Sequence, residues 1–185
     1  MKYIGLHGIY SNGSQSTDLI LRNLQHNNHK VTGVSYSLNV LDLYNKRSLN
    51  AVVDDIEHIY EENDVIIAHS AGCVLTILLA QRLALRGIKI PVVWFFNACV
   101  DNKITLPKSI GQLYNIRDMH DNILLLTRII PSDLIGDLGR VGYEGKNQNV
   151  TDLHLRQLLH NDGLNHSDIF ERKNVETISR IIAGD

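Results

Sequence analysis

Ser70 stands in Ala68-His69-Ser70-Ala71-Gly72, directly after the apolar run Val65–Ala68 and directly before a long apolar segment. A serine at a sharp turn from strand to helix projects its hydroxyl above the end of the strand. Small residues two places to either side let such a turn approach neighbouring backbone, and Ala68 and Gly72 are both small. The first N–H groups of the helix that follows have no partners inside it, and the helix field there favours negative charge. A hydroxyl in this place could attack an electrophilic carbon if a base takes its proton and N–H groups hold the oxyanion. Alone, the small-x-Ser-x-Gly pattern arises by chance in about one chain in ten of this length. A tight turn with no chemistry is the alternative.

The elements around Ser70 decide between these readings. Tyr3–Leu6, Val31–Tyr36, Val65–Ala68, Val92–Phe96 and Leu113–Ile116 are short β-type runs, most of them bounded by Gly, Asp, Asn or Pro. Helical patterns lie between them. In residues 48–60, Leu49, Val52, Val53, Ile56 and Ile59/Tyr60 share one face, Asp54, Asp55 and Glu57 face water, and Ser48 is placed to cap. Residues 71–86 are apolar nearly all round as far as Gln81, the mark of a helix buried on most sides, and Gly87 is placed to end it in a left-handed cap.

Strands alternating with helices imply crossovers and an α/β fold: a mostly parallel central sheet with helices on both faces. Ligands of such sheets bind beyond the carboxyl ends of the strands. The segments to examine are therefore His7–Gly13, Ser37–Asn39, His69–Gly72, Asn97–Asp101, Arg117–Asp121 and the loop around His166.

The 185 residues contain no linker-like stretch or internal repeat, so residues 1–185 are expected to form a single domain. A formal charge of −2, without a run of Lys or Arg, gives no electrostatic footprint for nucleic acid or an anionic membrane. The N-terminus lacks the features of a signal peptide, and no apolar run approaches the length that spans a bilayer. The expectation is a soluble, cytoplasmic protein. Cys73 and Cys99 read as reduced, buried thiols rather than a disulfide framework or a catalytic cysteine.

The Ser70 turn resembles the nucleophile elbow of the α/β-hydrolases, with Ala68 in place of the usual first glycine. A second motif agrees with it. "LHGIYSNG", residues 6–13, resembles the loop of that family in which the backbone N–H after a His-Gly pair forms half of the oxyanion hole. That N–H would be Ile9, and Ala71 would supply the other half. A plain turn with Gly8 at positive φ is the alternative reading.

The resemblance implies a triad in the chain order Ser, Asp or Glu, His. Of the nine histidines, His154, His160 and His166 follow both the serine and the carboxylates after Leu113–Ile116. His154 and His160 lie in the helical pattern "TDLHLRQLLHND", which favours surface positions. His166 lies in a loop before the last amphipathic helix, with Ser167 or Asp168 as its cap, and resembles the histidine of the family. Two aspartates compete to be the acid. Asp118 comes first after the strand, whereas Asp121 opens an Asp-x-apolar-apolar stretch resembling that of the family and stands at the start of an expected helix over 122–130. Asp121 is preferred.

As a whole, the chain resembles a small, lidless serine hydrolase comparable in size to the minimal bacterial lipases. The resemblance implies cleavage of a small acyl substrate, an ester, thioester or amide, and implies neither cofactor nor metal. The stretch 129–149, with no clean period, is expected to drape over the site. His154/His160 with Asp152/Asp162 do not have the spacing of a known metal motif, and "GIYSNGS" lacks the Gly-Lys-Ser/Thr of a phosphate loop. A non-catalytic binding protein on the same fold and an acyltransferase are the rival readings.

Overall fold

The computed structural model describes residues 1–9, 16–130, 132–160, 166 and 168–184. Strands β1 (Tyr3–Leu6), β2 (Val31–Gly33), β3 (Val65–His69), β4 (Ile90–Phe96), β5 (Ile110–Arg117) and β6 (Val150–His154) form one sheet in the order β2-β1-β3-β4-β5-β6. Every neighbouring pair is parallel. Parallel strands need crossovers. Helices α1 (Thr17–His26), α2 (Lys46–Ile59) and α3 (Ala71–Leu85) supply the first three, and α4 (Leu138–Val141), α5 (Leu155–Leu159) and α6 (Arg172–Ala183) follow.

Both faces of the sheet are covered, which is why its strands read as continuous apolar runs. Ile66 and Ala68 of β3 pack with Leu49, Val53 and Ile56 of α2 and with the apolar side chains of α3. Val65 and Ile67 turn the other way, joining Ile20 and Leu24 of α1 and Val175, Ile178 and Ile182 of α6. Among the described residues no helix is long and apolar enough to cross a membrane.

Local chemistry moves several boundaries away from the expected ones. The α2 helix begins at Lys46 because the Asn45 side chain, not Ser48, accepts from the N–H groups of Arg47 and Ser48 at 3.0 and 3.3 Å. As expected, Gly87 follows α3 at φ 71°. β2 ends at Gly33 rather than Tyr36, and Tyr36 turns back to donate its hydroxyl to the carbonyl of His7. Residues 122–130 form a 3₁₀ turn, Leu124–Ile129, in place of the expected helix.

β6 lies inside a stretch that reads as helical. Among the described residues it pairs only with β5, and it is at most half-buried, so its alternation is faint, and Leu153, Leu155, Leu158 and Leu159 mimic one helical stripe across two elements. Asp168 opens a short 3₁₀ turn, and Glu171 precedes α6 with no side-chain cap. Ser167 lies outside the described residues.

The sheet order places the chain reversal at β1. The next strand, β2, lies on one side of it, and β3 lies on the other. The crevice at such a switch point is where α/β sheets bind ligands, and here it is bounded by the exits of β1 and β3. Part of the stretch 129–149 runs back along the exit of β4. Asp101, Gly136, Leu138 and Gly139 donate to the carbonyls of Leu134, Cys99, Val100 and Ala98 at 2.8 to 3.2 Å.

A Cβ at Gly139 would lie 2.0 Å from the backbone nitrogen of Ala98, whereas one at Gly87 would meet nothing within 4 Å. Gly87→Ala is therefore expected to cost only its left-handed strain, about 1–2 kcal/mol. Gly139→Ala must displace backbone and is expected to cost at least about 3 kcal/mol. Urea unfolding of both variants checks this, and equal losses would contradict the packing.

Candidate active site

Ser70 sits between β3 and α3 at φ 52° and ψ −116°, a strained conformation for a residue with a side chain. Its N–H donates to the carbonyl of Phe96 at 3.0 Å, and its own carbonyl accepts from Cys73 at 3.1 Å. The glycine two places on is a steric necessity. A Cβ at Gly72 would lie 2.5 Å from the carbonyl oxygen of Leu6 and 2.8 Å from that of His7. Gly8 serves close approach as well, and its φ is not positive. A Cβ there would be 3.1 Å from Ser70 Cβ and 3.5 Å from Ser70 Oγ. The His7–Ile9 segment thus lies beside the serine, with Ile9 half-buried against the core. Tyr10–Gly13 lie outside the described residues.

This loop is held from below. The Tyr36 hydroxyl donates to the His7 carbonyl at 2.5 Å, and the two rings stack with centroids 3.9 Å apart. Burial holds the Tyr36 phenol well above its usual range, so it keeps the proton it donates. His7 Nδ1–H donates to the Gly8 carbonyl at 2.8 Å, and burial lowers the pKa of His7.

His166 and Asp121 meet. Nδ1 of His166 lies 2.5 Å from Asp121 Oδ2, across 45 residues of sequence. The other carboxylate oxygen, Oδ1, accepts from the N–H groups of Ile123 and Leu124 at 3.0 and 3.3 Å. Nδ1–H of His166 donates to Asp121, and in that tautomer Nε2 is the acceptor nitrogen of the ring. Asp118 is occupied elsewhere. Arg156 grips its carboxylate through two nitrogens at 2.9 and 3.2 Å, and Asp118 Oδ1 also caps the N–H of His120.

The other two candidate histidines are elsewhere. His154 ends β6, where its Nε2 accepts from the Arg117 guanidinium at 2.8 Å, and His160 is an exposed residue at φ 48°. Among the described residues no group of three or more His, Cys, Asp or Glu side chains is arranged to hold a metal ion. Asp162 lies outside them.

His69 and Asn97 open two of the strand-exit segments singled out in the sequence, which assigned neither of them a role. The His69 ring is buried, packs edge-on against Phe170 and lies 4.9 Å from the His166 ring. Burial, and then repulsion by His166, hold its pKa well below the ordinary value. Asn97 is fully buried and donates from Nδ2 to the carbonyl of His166 at 2.7 Å. Its place directly after a strand was the available signal. Burial pushes the Cys99 thiol up to about 12, with the hydroxyl of Ser70 a smaller, opposing influence. Burial also raises Cys73, so both thiols stay protonated.

The switch-point crevice, the strained serine turn and the parallel sheet together define an α/β-hydrolase fold. Solved structures with the same fold include α/β hydrolase domain-containing protein 10 from mouse, 11% identical with a TM-score of 0.67, over 99% of this chain and 88% of that one. An extracellular α/β-hydrolase from a Paenibacillus species is 14% identical with a TM-score of 0.55, over 99% and 98% of the two chains. A pyrethroid hydrolase from Sphingobium faniae JZ-2 is 13% identical with a TM-score of 0.53, over 100% and 96%. Identities this low show a shared fold. No family model matches the chain, and no curated protein matches it significantly.

Two histidines held below their ordinary pKa make stability depend on pH. As pH falls through about 6.5, the unfolded chain binds protons that buried His7 and His69 refuse, so stability drops. Urea unfolding between pH 7.5 and 5.5 is expected to show this fall, with a shallower slope in His69→Gln. An unchanged slope in that variant would mean that His69 protonates in the folded protein.

Proposed function

We propose that the protein is a serine hydrolase that cleaves a carboxylic ester, or a related thioester or amide, through an acyl-enzyme. The observation that carries this reading is the 2.5 Å contact of His166 Nδ1 with Asp121, on the same sheet edge as a serine in a strained strand-to-helix turn. Neighbours of the same fold described as hydrolases add support for hydrolysis as the reaction type.

In this mechanism Ser70 Oγ attacks the acyl carbon while His166 Nε2 takes its proton. Asp121 holds the imidazole in the required tautomer and stabilises the imidazolium. The carbonyl oxygen becomes an oxyanion held by the N–H groups of Ile9 and Ala71, the latter at the start of α3. Collapse of the tetrahedral intermediate breaks the bond to the leaving group, which takes the proton from His166. Water then attacks the acyl-serine, again giving its proton to His166; collapse of the second intermediate breaks the bond to Ser70 Oγ, which takes that proton back, and the acid departs. The cytoplasm remains the proposed location.

Fluorophosphonate labelling and hydrolysis of p-nitrophenyl acetate test the assignment. Wild type is expected to react in both assays. Ser70→Ala is expected to lose about 10⁶ in kcat with its fold intact. Hydrolysis at near wild-type rate in that variant would refute the nucleophile.

The two aspartates separate in the same assay. Asp121→Asn is expected to lower kcat by about 10⁴, because the histidine loses its tautomer. Asp118→Asn weakens the ion pair with Arg156 and is expected to lower stability by about 3 kcal/mol with a much smaller change in kcat. The reverse order of kcat losses would make Asp118 the acid.

A further inference from the structure

We infer that Asn97 is the positioning residue that sets His166 against Ser70, an inference that rests on the proposed Ser70–His166–Asp121 triad. β4 ends at Phe96, whose carbonyl accepts the N–H of Ser70 at 3.0 Å. The next residue, Asn97, donates its side-chain amide to the backbone carbonyl of His166 at 2.7 Å, across 69 residues of sequence. The residue after that, Ala98, accepts from the N–H of Gly139 at 2.8 Å. Gly139 in turn accepts from Asp118 at 2.9 Å, and Asp118 from the N–H of Asp121 at 3.0 Å.

Three consecutive residues therefore carry the nucleophile's amide, the base's carbonyl and the acid's loop. Consecutive Cα atoms are held at a fixed separation by planar peptides, so this segment acts as a ruler between groups that come from distant parts of the chain. Two of its three attachments are backbone bonds, which any sequence could make. The attachment to His166 depends on the side chain of Asn97.

The features of the residue fit that task. Asn97 has φ 46°, a left-handed conformation that asparagine tolerates better than most side chains. It is fully buried, and its N–H is tied to the carbonyl of Ile116 at 3.2 Å. Only the Nδ2 end of its amide can serve a carbonyl, and Oδ1 has no partner among the described residues. A buried amide satisfied at one end costs stability, and retaining it needs a reason other than packing. Asp121 holds the ring of His166, and Asn97 holds its backbone. A misplacement of about 1 Å at a reacting group can cost about 10²-fold in rate.

The test compares wild type, Ser70→Ala and Asn97→Gly, a change that keeps the left-handed backbone without strain and removes only the side chain. Asn97→Asp, isosteric but without the donor, serves if the glycine variant fails to fold. Circular dichroism and thermal unfolding report the fold, p-nitrophenyl acetate gives kcat and KM, and fluorophosphonate gives the labelling rate. A downfield proton resonance reports the Nδ1–H of His166 against Asp121 without any need for turnover.

The expected result is a folded Asn97→Gly variant with kcat down by about 10²-fold, KM within about twofold, and labelling slowed by the same factor as kcat. The His166 resonance is expected to persist in wild type and Ser70→Ala and to broaden or vanish in Asn97→Gly. A folded variant with unchanged kcat, labelling and resonance, differing only in melting temperature, overturns the inference. If wild type neither hydrolyses esters nor labels, the triad reading fails separately. The resonance then decides alone: its loss in Asn97→Gly supports the positioning role, and its persistence refutes it.

Discussion

The contact between position 72 and the end of β1 constrains everything else at the site. The carbonyl oxygens of Leu6 and His7 come so close that no side chain fits on residue 72. The parallel pairing of Leu6 with Ala68 brings the exits of β1 and β3 level with each other, so the chain leaving β3 must turn at once. Ser70 absorbs that turn at φ 52°. Such strain persists only where surroundings over-determine it, and here the buried α3 helix on one side and the N–H bond to Phe96 on the other do so. The same proximity puts Gly8 against Ser70.

The two aspartates after β5 show how environment divides labour between identical side chains. Asp118 faces Arg156, and its charge is neutralised within a nearly buried pair. Among the described residues no Lys or Arg pairs with Asp121. Two backbone N–H groups stabilise its charge on one oxygen and leave the other for His166.

Several buried titratable groups around the β1, β3 and β4 exits are held in their neutral forms. His7 and His69 are buried and biased to the neutral form, Tyr36 keeps its phenolic proton, and Cys73 and Cys99 keep theirs. Burial is the leading cause in every case. In such low-dielectric surroundings the contact of His166 with Asp121 is electrostatically stronger than it would be in water. A neutral His69 places no positive charge against the ring of His166.

Much of this was legible in the sequence, because it depends on local pattern. Continuous apolar runs separated by helical periods specify a sheet buried on both faces, and the small residues around Ser70 specify a tight turn, since each needs only its neighbours to act. The sequence also singled out Asp121, from the apolar residues behind it, and Asp121 rather than Asp118 is the aspartate in contact with His166. Edge strand β6 was not legible, because a strand with one partner and half-buried side chains carries little alternation. Nor were the contacts of Tyr36 with His7, Asn97 with His166, Arg156 with Asp118 and Gly139 with Ala98, each of which spans 29 residues or more of the chain. Side-chain type and spacing determine which groups are available and which segments fold locally. Which donor meets which acceptor across the sheet edge is decided only when close packing brings distant backbones together, since a hydrogen bond needs its partners within about 3 Å and no local pattern encodes that distance.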